Sequence, residues 1–235
     1  MIATVVDDDS AAAGIRKEGR AVTRFMIDRR LARRRPVPEL ERGLVQDLED
    51  AGIVISDVWD LVNTTERYPA AIPILMAWLN RVDELPSDDA RERLREGLIR
   101  SLSTRDARPV AGPLMVRQFR TVSLDPVRWA VGNAIAIVAD STVFADVVDL
   151  VREPSYGTAR QMPVDALPRI GGRANRSTVI EILVDLLSDD DVVLHAISAV
   201  RRIRAANARP ALERLLDHER DTIRRRAQQA LGRLP

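Results

Sequence analysis

The chain has 235 residues, 46% hydrophobic and 30% charged, which suits one large domain or a run of small units sharing a core and argues against wholesale disorder. Aromatic residues are only 3% and cysteine is absent, arguing against an aromatic-rich sheet and excluding disulfides, thiolate metal sites and cysteine nucleophiles. A net charge of +1 leaves no global field drawing the protein onto nucleic acid or an anionic membrane, so any such attraction must be local.

Lys17 is the only lysine among 36 basic residues, and the other 35 are arginines; this reads as genomic bias rather than a need for guanidinium chemistry. The opening "MIATVVDDDS" lacks the basic start and apolar run of a secretory signal, and no stretch reaches the length of a membrane span. The expectation is a soluble cytoplasmic protein with no membrane partner.

In chain order, residues 1–13 read as a disordered tail and 14–55 as N-terminal capping helices. A helix over 15–35 contains the basic run Arg29, Arg30, Arg33, Arg34 and Arg35. Next, "PELERGLVQDLEDAG" carries Leu40, Leu44, Leu48 and Ala51 on one face, with Gly52 as its stop. From 56 to 235 the pattern is repetitive. "SDVWDLVN" reads as the second helix of an early unit capped by Ser56. "YPAAIPILMAWLNRV" and "SDDARERLREGLIRSL" make a pair, with Ser87 as cap and Leu94, Leu98 and Leu102 as the stripe.

Four later segments align on Ala134, Ala166, Ala199 and Ala230, at intervals of 32, 33 and 31 residues. Seven before stand Val127, Ala159, Val192 and Ile223; one after stand Ile135, Leu167, Val200 and Leu231; four after stand Val138, Ile170, Ile203 and Leu234. That spacing is one buried helix stripe. Asp125, Asp190 and Asp221 occupy the expected N-cap, with Pro126 at the first helical position. A shorter apolar helix precedes each, as in "NRSTVIEILVDLLSD" and "NARPALERLLDH". Neither helix can bury its stripe alone, so the units must stack as an α-solenoid. Pro163 and Pro168 predict a kinked or split helix in the second of the four units.

The segments "LLDHERDTIRRRAQQALGRL" and "LLSDDDVVLHAISAVRRI", with "LDPVRWAVGNAIAIV" a looser relative, resemble the HEAT-repeat superfamily, in particular short bacterial HEAT-like repeats. The resemblance covers roughly 56–234 and implies an all-α, right-handed α-α superhelix of about five to six helix pairs. It is nearly silent on function, because the matching positions are those that fold the repeat. Val193 stands where the pattern has arginine, which interrupts any Asp–Arg ladder between units.

The resemblance also implies that second helices line a concave surface. With the stripe buried, the positions five, two and one before the aligned alanine and two after it form the opposite edge. They supply Trp129, Asn133, Gln161, Val164, Asp165, Leu194, Ile197, Ser198, Arg201, Arg225 and Gln229 as candidate partner contacts. Their mix of apolar, aromatic and arginine side chains suits a protein or peptide partner. Coverage of Val164, Leu194 and Ile197 by neighbouring helices is the competing reading.

No catalytic, metal or cofactor constellation stands out, and no small-molecule substrate is evident. His195 and His218 read as surface or rim residues, Gly171-Gly172 as a helix stop, and "SDDD" at 188–191 as a capping turn. The function expected is a non-enzymatic scaffold. The alternative is nucleic-acid binding through Arg29, Arg30, Arg33, Arg34 and Arg35 and the C-terminal Arg201, Arg224, Arg225 and Arg226. A remoter alternative resembles the HEAT-like alkylpurine DNA glycosylases: Trp129 has the aromatic role, but Asn133 replaces the aspartate, leaving Asp165 as a substitute.

Overall fold

A computed structural model describes residues 25–26, 36–86 and 88–235, and within them the chain is almost wholly helical. The tail 1–13, most of the helix expected over 15–35, the arginines Arg29 to Arg35 and the cap Ser87 lie outside the described residues. Where that helix was expected, Phe25–Met26 (β1) instead pairs as a two-residue parallel strand with Ile53–Val54 (β2). The β-branched Ile53 and Val54 cannot extend the preceding helix past Gly52, and their open backbone groups are met by β1.

Helix α1, Arg42–Asp50, buries Leu44 and Leu48. It ends at Gly52 as the spacing predicts: that residue takes φ 84° and donates its N–H to the Glu49 carbonyl at 2.9 Å. The segment "SDVWDLVN" forms only one turn, α2, Trp59–Val62. Ser56 is not its cap; the Asp57 carboxylate accepts the Trp59 N–H at 2.9 Å, while the Ser56 N–H donates to Asp60.

Five helical hairpins follow. Their first helices are α3 (Ile72–Arg81), α5 (Arg108–Thr121), α7 (Phe144–Arg152), α9 (Arg176–Asp185) and α11 (Arg209–Arg214). Their second helices are α4 (Asp89–Leu102), α6 (Asp125–Val138), α8 (Gln161–Gly171), α10 (Val193–Ile203) and α12 (Asp221–Leu231). Each second helix packs on its own first helix and on the next second helix, so the second helices form a continuous row. The aligned alanines are buried throughout, as are Val127, Val192 and Ile223 seven residues before them. Alanine at the closest crossing lets neighbouring backbones approach at normal interhelical spacing.

The aspartates expected as N-caps do something else. Asp125 and Asp221 are the first residues of their helices, and each carboxylate pairs with an arginine three residues on, Arg128 at 3.1 Å and Arg224 at 3.3 Å. The negative charge still favours the helix N-terminus. Asp190 lies in the turn before α10, where His218 Nε2 reaches it at 3.1 Å. Helix α4 is capped by Asp88, whose carboxylate accepts the Arg91 N–H at 2.8 Å.

Arginines six residues before the alanines hold the hairpins together. Arg128 donates to the Phe119 and Val122 carbonyls, Arg160 to that of Val151, and Arg224 to those of His218 and Glu219. Each guanidinium satisfies carbonyls at or just beyond the end of the preceding first helix. Arg160 also forms ion pairs with the next unit, at 2.7 Å to Asp189 and 3.5 Å to Asp191, and Arg128 lies over the ring of Tyr156 in the unit that follows it, 5.4 Å from the centroid. Val193 is buried at the corresponding place, and there the link passes instead through His218 and Arg220 to Asp190. The break expected at Pro163 occurs earlier, at Gly157, which takes φ 51° within a 3-10 segment over Pro154–Arg160. Pro163 falls in the first turn of α8, where no intrahelical N–H is needed, and the helix runs on through Pro168 to Gly171.

Candidate functional site

The row of second helices presents three of its four predicted edge positions to solvent. Five before the alanine, Trp129 is 45% exposed, Gln161 and Leu194 are half-buried and Arg225 is exposed. One before, Asn133, Asp165 and Ser198 are half-buried and Gln229 is exposed; two after, Arg201 is exposed.

The position two before the alanine is not on the open face. Val164 is 0% exposed and Ile197 only 2%, so Val164 belongs to the core and Ile197 offers no more than a sliver of surface. Gly132, at the same place in α6, shows why: a Cβ there would lie 2.5 Å from the Ala159 carbonyl of the next unit. This flank is where one unit meets the next. Gln228, the same position in the last helix, is polar and exposed.

Six predicted residues come together. Asp165 of α8, with Leu194, Ile197, Ser198 and Arg201 of α10 and Gln229 of α12, line one cleft of about 300 Å³. His195, Thr222 and Arg226 complete its wall. Arg225 lines an adjoining hollow with Thr222, Arg226 and Gln229. Trp129, Asn133 and Gln161 stand outside. The Asn133 amide donates to the Trp129 carbonyl one turn back, and the Gln161 amide to the Asp191 carbonyl at 2.8 Å.

His195 was not among the expected site residues, because nothing acidic stands near it on its own helix. The fold supplies a partner from the neighbouring unit: His195 Nδ1 lies 2.7 Å from Asp165 Oδ2. The available signal was their separation of 30 residues, close to one repeat. Asp165 is bound further by Arg202, which donates to its carbonyl at 2.6 Å and reaches its carboxylate at 3.4 Å. The Nδ1 contact orients the imidazole, and among the described residues Nε2 makes no hydrogen bond.

Arginine dominates the rest of the site. Beyond Ser198 and Arg201, the cleft runs into a second depression of about 420 Å³ that also involves Arg202, Arg204 and Arg233. Among the described residues, the side chains of Arg201, Arg204, Arg226 and Arg233 make no ion pair and no hydrogen bond, whereas most arginines elsewhere are tied to carbonyls or carboxylates. Among the described residues no group of three or more metal-ligating side chains converges, and no helix is long and apolar enough to cross a membrane.

No protein-family model matches this chain, and no curated protein matches it. The functional reading therefore rests on the helix stack and on the cleft.

Proposed function

We propose that the protein is a HEAT-like solenoid, a right-handed superhelix of five helical hairpins behind an N-terminal cap, acting as a non-enzymatic cytoplasmic scaffold that holds a protein or peptide on its concave face. The observation that carries this reading is the cleft. Residues from three successive second helices, Asp165, Leu194 and Gln229 among them, converge on one depression that combines a small apolar floor with polar and cationic walls. A rigid scaffold presenting spaced anchors lowers the ordering cost of binding an extended segment. Trp129 on α6 stands two second helices from Leu194 on α10, roughly 20 Å at ordinary interhelical spacing, within reach of an extended peptide of about six residues.

Affinity purification of the intact protein, beside Leu194→Glu and Trp129→Ala variants, tests the assignment. A near-stoichiometric protein retained by the wild type and lost from Leu194→Glu is the expected result. Partners bound equally by both variants would move the binding surface elsewhere.

A further inference from the structure

The cleft has more positive charge than its surroundings balance. Its arginines come from α10, α12 and the turns that end them, yet Arg201, Arg204, Arg226 and Arg233 have no side-chain partner among the described residues. The chain as a whole carries 36 basic and 35 acidic residues, so a local surplus here is a matter of placement, not of composition. Cations near helix C-termini gain from the helix dipole, which accounts in part for Arg201, Arg204 and Arg233. It does not account for Arg226, which lies in the middle of α12.

Arg204 adds a second, independent observation. It ends α10 with φ 52° and ψ 52°, the only non-glycine residue with positive φ among those described. Its N–H bonds the Val200 and Arg201 carbonyls, and the next N–H, of Ala205, also returns to Val200. This is the helix ending for which glycine is the favoured residue. An arginine there costs conformational energy and puts a guanidinium on the rim of the depression.

We propose that this arginine-walled cleft seats an acidic peptide segment of a partner protein, with carboxylates on Arg201, Arg204, Arg226 and Arg233 and an apolar side chain against Leu194 and Ile197. The inference rests on the concave-face reading and specifies its ligand. Charge complementarity selects an anionic occupant, and the cleft's form selects a peptide over a nucleic acid. Two adjoining hollows of about 300 and 420 Å³ admit a few side chains. Neither is lined by Phe, Tyr or Trp, the side chains that make base-stacking platforms, and the one imidazole in the wall, His195, is held by Asp165. The Asp165 carboxylate in the wall opposes a continuous run of phosphates.

The test uses the full chain and three labelled probes: a peptide of repeated Glu-Glu-Leu, the same peptide with lysine for glutamate, and a single-stranded oligonucleotide of matched charge. Fluorescence anisotropy should show binding of the acidic peptide that weakens as salt rises. An Arg201→Glu/Arg226→Glu double variant should lose about tenfold or more in affinity, and Arg152→Glu, an exposed control outside the cleft, should lose little. Arg204→Gly, which relieves the backbone and is expected to fold at least as well, should also bind more weakly; this guards against a variant that merely misfolds.

Equal or absent binding of the acidic and lysine peptides would overturn the proposal. So would an oligonucleotide that binds more tightly and is lost with the same substitutions. If the cellular partner is lost with Leu194→Glu but kept by Arg201→Glu/Arg226→Glu, the concave reading stands and the acidic occupant falls. If both variants keep it, the concave reading itself falls.

Discussion

Two buried polar side chains, Glu41 and Arg160, show what individual residues contribute. Glu41 is 3% exposed and accepts the Val58 N–H at 2.7 Å, so it ties the segment before α1 to the turn that opens α2. Burial pushes its carboxyl above the ordinary value of 4.5, against the lowering effect of that hydrogen bond. A raised folded pKa means that its contribution is fully present below the unfolded value and is lost as pH rises through the folded one. Unfolding midpoints of the wild type should therefore fall over that mildly acidic window, and those of Glu41→Gln should not. Glu41→Ala leaves the Val58 N–H without its acceptor and should cost about 1–3 kcal/mol at any pH. Asp83 behaves oppositely: the guanidinium of Arg95 holds its carboxyl below the usual range, so its contribution is present above the ordinary value of 3.8 and is lost in stronger acid. Arg160, 1% exposed, spans two units, and its replacement by alanine strands two backbone carbonyls and Asp189; a loss of about 3 kcal/mol in denaturant unfolding is expected.

At the scale of elements, the seams where a second helix meets the neighbouring unit set the tolerances. Gly132→Ala would drive a methyl group to 2.5 Å from the Ala159 backbone, and Gly97→Ala would meet Val58 at 2.2 Å. Each should destabilise by about 1–3 kcal/mol, with the Gly132 variant also loosening the seam between α6 and the following unit; thermal melts with hydrogen exchange on α8 would read both effects. At the end of α10 the expectation reverses. Arg204→Gly should raise stability by about 1 kcal/mol while reducing acidic-peptide binding, a division between fold and function at one residue. A melting temperature unchanged or lowered by Arg204→Gly would show that the left-handed turn carries no such cost.

Across the whole molecule, each hairpin touches chiefly its neighbours, so stability should be distributed along the stack rather than held in one core. Native-state hydrogen exchange should show the greatest protection in α5–α10, which have hairpins on both sides, and less in α12. A uniform protection profile would indicate a single cooperative unit instead.

The apolar stripe, its period near 32 residues and the burial of every aligned alanine were legible in the sequence, because helix periodicity and stacking depend on local pattern. Gly52 as a helix stop was legible for the same reason. Other features depended on what lies alongside. Apolar residues two before the alanine look like a binding surface on an isolated helix, and only the neighbouring unit shows Val164 as core. The cap at Ser56 and the break at Pro163 moved because Asp57 and Gly157 met the backbone's needs first. Six of the eleven concave candidates reached one cleft because they share register positions on adjacent helices. The His195–Asp165 pair and the unpartnered arginines were decided by tertiary structure alone: sequence supplies the charges, but only the packed helices determine which of them meet a counter-charge.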